Sequence, residues 1–293
     1  MRVSIAVFAH NEARRIQRCL DSLHGATEGL RVHIVVLANG CRDHTADIAR
    51  AWSTGAADRV TVRVADIARG DKANAWNEFV HQLAGEADHY VFCDGDCYFT
   101  QHAVSRLLDA FRTDPHAQAA AALPVTGRSM RRVRPLMARN RELAGNLYAL
   151  RGDFVQRIRR AGIRMPIGLV GEDSLVGAFA KFDLLPVPGR WDDSRVRPVP
   201  EAGFAFDSIN PTAPGDVSMY WRRRIRYSVR RYQFLALREV FLAKGFAAMP
   251  SRVEDLATLA DTAPRLAWRG ADTLFDWLAL RRMRNEYALT GRH

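Results

Sequence analysis

Lysine is nearly absent from this chain. Of 43 basic residues only Lys72, Lys181 and Lys244 are lysines, and the other 40 are arginines. Base composition alone can produce such a bias, so the distribution of charge says more than its total. Long apolar runs are also missing. The best candidate, Tyr232 to Pro250, is interrupted by Arg238, Glu239 and Lys244, short of the roughly 18 uninterrupted apolar residues a spanning helix needs. The N-terminus, MRVSIAVFAHNEA, lacks a small-residue cleavage site and reads as a strand, not a signal peptide. Cysteine is scarce: Cys19, Cys41, Cys93 and Cys97 fit no zinc spacing and read as free thiols of a reducing cytoplasm. Glycine and proline are scattered, which excludes collagen-like or disordered chain. There is no internal repeat and no low-complexity tract.

What is present supports a real core: 293 residues, 48% hydrophobic, enough for one large domain or two small ones. The net charge of +11 is concentrated. Residues 128–164 hold eleven arginines against Glu142 and Asp153, and residues 222–238 hold seven with no acid. The remainder is net acidic. A localised basic surface suits phosphates, anionic lipid headgroups or nucleic acid.

Val3 to Phe8 reads as a buried strand, and Asn11-Glu12 as the opening of a helix carrying Ile16, Cys19, Leu20 and Leu23. Strand Val32 to Leu37, a helix through Thr45, Ile48, Ala49 and Trp52, and strand Val60 to Val64 follow. A helix bearing Ala73, Trp76, Val80 and Leu83, strand His89 to Cys93, a helix capped by Thr100 and a strand from Ala119 to Val125 complete the first part. Strand alternating with helix argues for a parallel, doubly wound α/β sheet, whose ligands sit at the carboxyl ends of the strands. The polar clusters fall at those ends. Beyond Val125 the pattern predicts one apolar helical stripe from Leu136 to Ile158, with Gly145 and Gly152 as weak points. A short helix over Gly171 to Ala180, extended chain through Val187, and irregular chain from Pro186 to Pro214 come next. A basic helix from near Met219 and helical segments at Val253–Leu259 and Ala271–Arg284 end the chain.

Asp94-Gly95-Asp96 closes a hydrophobic strand, and two carboxylates at i and i+2 on a turn suit a hard cation; a solvated turn is the alternative. Gly70-Asp71-Lys72 lies between strand and helix, where a lysine can meet a phosphate or simply face solvent. Glu172-Asp173 opens a helix, as a general base would or as capping acids would. Arg223, Arg226 and Arg230 share one helical face, fit for a diphosphate or an anionic lipid, or for plain solvation.

In order and spacing, Ala9-His10-Asn11-Glu12, the Asn39 to Thr45 segment, the Gly70 to Asn77 segment, Asp94-Gly95-Asp96 and Glu172-Asp173 resemble the family 2 glycosyltransferases over about residues 1–230. The resemblance implies a GT-A type doubly wound, mostly parallel sheet flanked by helices, with a C-terminal helical extension. It implies a nucleotide-sugar-binding half over 1–127, an acceptor-side half over 128–215 and a basic amphipathic extension over 216–293. By the same likeness Ala9, Asn11, Glu12 and Asn39 hold base and ribose, Lys72 lies near base or phosphates, and Asp94 near the ribose. Asp96, with Asp94, holds Mg²⁺ or Mn²⁺; Asp173 is the base and Glu172 its neighbour on acceptor or donor sugar; Arg223 and Arg226 face the diphosphate.

Departures are visible: Ala9 and Asn39 replace the usual Pro and Asp, and Asp71 separates Gly70 from Lys72. Arg223 and Tyr227 stand where processive members have Gln and Trp, which implies transfer of a single sugar. The expected enzyme moves one sugar from a nucleoside diphosphate, UDP by preference, to an acceptor hydroxyl on a phosphorylated or lipid-linked glycan, with inversion. Its expected place is the cytoplasm, with peripheral contact to an anionic inner membrane face. A basic nucleic-acid-binding protein, a sugar nucleotidyltransferase and a retaining transferase are the rivals. Nucleic acid is not the expected partner, because the strand-end aspartates have no use there.

Overall fold

The computed structural model of the chain describes residues 1–53, 59–127, 130–207, 214–256 and 266–290. β1 (Val3–Ala9) is buried at every position and β2 (Val32–Asn39) at all but one. Such strands, apolar on both faces, belong in the middle of a parallel sheet covered by helices. They pair in parallel with each other, β2 with β3 (Val60–Ile67), and β1 with β4 (His89–Asp94). The full sheet runs β3-β2-β1-β4-β7-β6-β8-β5. The chain moves outward from β1 to β3 and returns to β4 on the other side of β1, so a crevice opens between the ends of β1 and β4.

Helices cover both faces. α1 (Ile16–Ala26), α2 (Thr45–Ser53) and α4 (Ala103–Thr113) bury their apolar stripes on one face. On the other lie α3 (Lys72–Glu78), continued by a π-helical turn over Phe79–Leu83, α6 (Gly152–Arg160) and α7 (Glu172–Lys181). Phe92, on β4, is the hub of that second core: its ring meets Phe8, Trp76, Phe79 and Tyr148 at centroid distances of 4.8–6.5 Å. The Trp76 indole N–H donates to the Tyr148 hydroxyl at 3.0 Å, so the one polar edge in this cluster is satisfied. α8 (Pro214–Lys244) and α9 (Asp272–Thr290) pack together through Val229, Tyr232, Ala279, Leu280 and Met283.

Several sequence expectations are corrected. The stripe from Leu136 to Ile158 is not one helix but α5 (Met130–Asn140), β7 (Leu147–Arg151) and α6. β7 inserts antiparallel between β4 and β6 (Ala119–Pro124), and Leu147 and Leu150 satisfy a strand as well as a helix. Irregular chain was expected from Pro186 to Pro214, yet β8 (Val196–Phe206) runs within it; Pro198 and Pro200 masked the strand, which shifts register opposite Ala122/Leu123. β5 (Cys97–Phe99) was also missed. Asn11 opens no helix: its φ is +56°, its side-chain oxygen accepts from Arg42 N–H at 2.8 Å, and α1 begins at Ile16. Thr100 caps nothing; its hydroxyl donates to the Gly203 carbonyl at 3.3 Å. The extended chain expected before Val187 turns sharply at Asp183 and Leu184. Of the Val253–Leu259 helix, Val253–Asp255 is a 3-10 turn and 257–259 lie outside the described residues, as does Arg128.

Replacing Phe92 with Ala empties the centre of four ring contacts. Urea unfolding is expected to show a loss of about 3–5 kcal/mol; a loss below about 1 kcal/mol would remove Phe92 from its place as hub.

Candidate functional site

The ends of β1, β2, β3 and β4 converge on one crevice. Gly95 donates its N–H to the Phe8 carbonyl at 2.7 Å. A Cβ at Gly95 would stand 3.0 Å from the Ala9 methyl and 3.1 Å from the Phe8 carbonyl oxygen, so a side chain there would push the Asp94-Gly95-Asp96 turn slightly away from the end of β1. Gly40 is equally constrained: its φ is +63°, and the backbone of Gly70 fills the space where a Cβ would stand. Asn39 is buried and accepts from Asp71 N–H at 2.9 Å. Asp71, the residue that interrupts Gly70 and Lys72, caps α3 by accepting from Asn74 N–H at 2.7 Å. Its other oxygen accepts from Gly168 N–H at 2.6 Å. Asp71 therefore sets Lys72 at the first turn of a capped helix and ties in the loop that leads to α7.

Lys72 reaches across the crevice and pairs with both Asp94 and Glu172, the latter at 2.6 Å. Burial alone would lower the Lys72 pKa, but the two carboxylates hold it well above its ordinary value. Burial pushes Asp94 up to about 7 against the pull of Lys72. Glu172 is also penalised by burial, yet the ammonium wins there and its pKa lies below the ordinary value. Gly145, a weak point in the sequence reading, explains how the cluster fits. A Cβ there would stand 2.8 Å from Lys72 Nζ and 2.9 Å from a Glu172 oxygen.

Asp173 is buried beside this cluster. It accepts from Gly145 N–H at 3.0 Å through one oxygen, and pairs with Arg230 at 2.9 Å through the other. Burial raises its pKa against the pull of Arg230. Arg230 also donates to the Ser174 hydroxyl, and its side chain crosses over Gly171, which has φ +83° and no room for a Cβ. The helix α8 thus delivers its arginines from far along the chain to the rim of the crevice.

Asp94, Asp96 and Cys97 each offer one donor atom within 4.8 Å of the others. The Cys97 thiol is pushed up by burial and keeps its proton. That leaves carboxylate oxygens, which fit a hard divalent cation and not a soft one. Asn146 donates to Asp94 at 3.4 Å and steadies the turn.

Two adjoining cavities, about 940 and 590 Å³, share Lys72, Asp94, Glu172 and Arg226 in their walls. Ala9, Glu12, Asn39 and Asp96 line the smaller, and Asn11, Asp173 and Arg223 the larger. The residues that the resemblance assigns to the site therefore line one continuous crevice. Sequence reasoning missed Gly145, Asn146 and Ser174 as parts of it, and read Arg230 only as a face of a basic helix. The Gly145-Asn146 pair before a strand was the available signal, hidden by the helical periodicity around it.

Comparison with known proteins follows this geometry. The sequence profile of glycosyl transferase family 2 matches residues 4–166. Glycosyltransferase AglE of Haloferax volcanii is 35% identical over 96 residues, which is 32% of this chain and 30% of that protein. The match thus spans under a third of that relative's length. Among solved structures, the mannosyltransferase PcManGT of Pyrobaculum calidifontis, in complex with GDP-Man and Mn²⁺, superposes with a TM-score of 0.61 at 17% identity, over 99% of this chain and 84% of that one. Glucosyl-3-phosphoglycerate synthase of Mycobacterium tuberculosis, in complex with Mn²⁺, UDP-glucose and phosphoglyceric acid, gives 0.53 at 21% identity, over 80% and 77%. At these identities the superpositions speak to the fold: a GT-A type, mostly parallel sheet flanked by helices with a helical C-terminal region.

Replacing Lys72 with Met leaves Asp94 and Glu172 facing each other without a cation. The folded pKa of Glu172 then rises above its unfolded value and that of Asp94, already raised, climbs further, so the penalty grows as pH climbs and they must ionise. Chemical unfolding is expected to show a loss of about 3 kcal/mol at pH 8 that shrinks at pH 5; an equal loss at both would contradict the charge-based role.

Proposed function

The chain belongs to glycosyl transferase family 2 and is a glycosyltransferase, and on that premise we propose that it transfers one sugar, with inversion, from a nucleoside diphosphate to an acceptor hydroxyl with a divalent metal. The observation behind this reading is that the Asp94-Gly95-Asp96 turn and Asp173 line one crevice, with Lys72 and Arg226 between them. Ala9, Asn11, Glu12 and Asn39 hold the base and ribose at the β1 and β2 ends, and Asp94 lies toward the ribose. The PcManGT complex holds GDP-Man and the synthase complex UDP-glucose, so both nucleotides suit this fold; UDP is the donor proposed here. Mn²⁺ in both complexes supports Mn²⁺ or Mg²⁺ at Asp96 with Asp94. A cation bound there neutralises the negative charge that grows on the departing diphosphate.

The chain's own groups do the rest. Arg226 meets the diphosphate from α8, Arg223 stands farther out on the acceptor side, and Lys72 holds the first aspartate and Glu172 in place. Asp173 takes the proton of the acceptor hydroxyl. Its burial raises its basicity, while Gly145 N–H and Arg230 fix its orientation. Glu172 contacts the acceptor or donor sugar.

The stretch 128–215 supplies α5 and β8 on the acceptor side, and the extension 216–293 brings the arginines. The acceptor is a phosphorylated or lipid-linked glycan. Among the described residues no helix is long and apolar enough to cross a membrane. Exposed Trp221, Trp268 and Trp277 beside arginines support a peripheral position on the inner membrane face of the cytoplasm. Sedimentation with anionic liposomes at low salt is expected to carry the protein down; retention in the supernatant removes the membrane part.

A thermal-shift screen of UDP- and GDP-sugars with and without Mn²⁺ is expected to raise the midpoint only when both are present. Asp96→Ala abolishes that metal-dependent shift. Asp173→Asn lowers turnover by at least about 10²-fold with the fold intact. Near-normal turnover would falsify the assignment of the base, and retention of the anomeric configuration in the product would replace inversion.

A further inference from the structure

α5 is anomalous. Its apolar residues Met130, Val133 and Met137 follow helical spacing, yet no residue of the helix is buried. An apolar stripe of this kind ordinarily packs on a core. Here only Met137 also packs against a core, and all three side chains line a groove of about 820 Å³ that adjoins the crevice, with Leu143 and Phe204 in its wall. The opposite wall is one face of α8, where Tyr220, Tyr227 and Phe234 recur every seven residues. That face is about 21 Å long at 1.5 Å per residue. Tyr220 and Tyr227 are 39% and 49% exposed, so the rings are held open to the groove and not folded away.

The groove ends on chemistry. Asp173 and Asn146 line its inner end, and both also face the polar crevice. Arginines punctuate the aromatic face, but most are already neutralised: Arg224 by Asp272, Arg230 by Asp173 and Arg231 by Asp276. Arg223 is different. It donates to the Tyr227 hydroxyl at 2.7 Å and lies 5.8 Å from the Phe206 ring, but among the described residues it has no carboxylate partner. It stands in the wall of both the groove and the crevice. A mostly apolar cavity with one unneutralised guanidinium at its reactive end selects a guest with a hydrocarbon body and a single anionic group.

We propose that this groove is the acceptor subsite, and that the acceptor is an amphiphilic anion: a hydrocarbon chain lying between α5 and α8, its phosphate on Arg223 and Tyr227, and its reacting hydroxyl beside Asp173. This inference rests on the transferase reading and narrows its acceptor to one that is phosphorylated and chain-bearing at once. Such a guest places its chain toward Tyr220, one residue from Trp221, whose ring meets Phe275 of α9 at 5.1 Å.

Calorimetric titration of the full chain with decyl phosphate, inorganic phosphate and decyl maltoside tests the proposal, each kept below micelle formation. Decyl phosphate is expected to bind at least about tenfold more tightly than inorganic phosphate, since burial of only two methylene groups already supplies that factor, and more tightly than decyl maltoside, which has the chain but no charge for Arg223. Met137→Glu is expected to remove the dependence on the chain while inorganic phosphate binds as before; Val133→Glu serves the same purpose should the first variant fold poorly. Equal affinity for decyl and inorganic phosphate overturns the hydrocarbon part. Equal affinity for decyl phosphate and decyl maltoside overturns the anionic part. Binding of UDP with Mn²⁺ is titrated separately: its absence counts against the transferase site, whereas an unchanged UDP titration beside failed decyl phosphate binding counts against the groove alone.

Discussion

One ammonium group organises the crevice. Lys72 starts α3, Asp94 ends β4 and Glu172 starts α7, and their charges meet where these three elements converge. Removing Lys72 leaves two carboxylates without their cation, which costs far more than an exposed ion pair contributes. The neighbours obey this constraint. Gly145 is bare so that the cluster fits, Gly95 is bare so that the aspartate turn can approach β1, and Asp71 caps α3 so that Lys72 points inward. Asp173 is held beside the cluster by a backbone N–H and by Arg230. A helix that begins more than thirty residues after α7 ends thereby becomes part of the site.

Much of this was legible in the sequence. Strand-helix alternation over the first 125 residues gave the parallel sheet and placed its polar clusters at one edge, because buried parallel strands are nearly continuous apolar runs bounded by turns. The carboxylates at 94, 96 and 173 were legible only as a set: a solvated turn or helix capping accounts for each alone, and their order with the clusters at 9–12, 39–45 and 70–77 carried the resemblance. What stayed hidden had physical causes. β7 was lost because Leu147 and Leu150 fit a helical stripe that began at Leu136, and pairing between β4 and β6 overrides that periodicity. β8 was lost because Pro198 and Pro200 normally argue against a strand. Gly145 is a contact requirement, which periodicity does not encode. The ion pair between Arg230 and Asp173 joins residues 57 positions apart and depends wholly on how α8 lies across the sheet.

The site has two chemically distinct sides. Toward β1 and β2 it is polar, with carboxylates, amides and Lys72; toward α5 it is apolar, with rings and methionines. Asp173 and Arg223 stand on the boundary. On the proposed reading this division lets two substrates of different chemistry meet at one carbon. The arginine excess, ambiguous in bulk composition, acquires a meaning through position: α8 directs Arg223, Arg226 and Arg230 at the crevice and spends Arg224 and Arg231 on holding α9.

If a nucleoside diphosphate lies in the crevice with Asp96 on one flank and Asp173 on the other, a crystal structure of the chain grown with UDP and Mn²⁺ will show it. The uracil is expected near Asn11 and Asn39, the diphosphate between Asp96 and Arg226, and an open approach from Asp173. Density for the nucleotide in the α5–α8 groove, or on the face of the sheet away from Lys72, contradicts it.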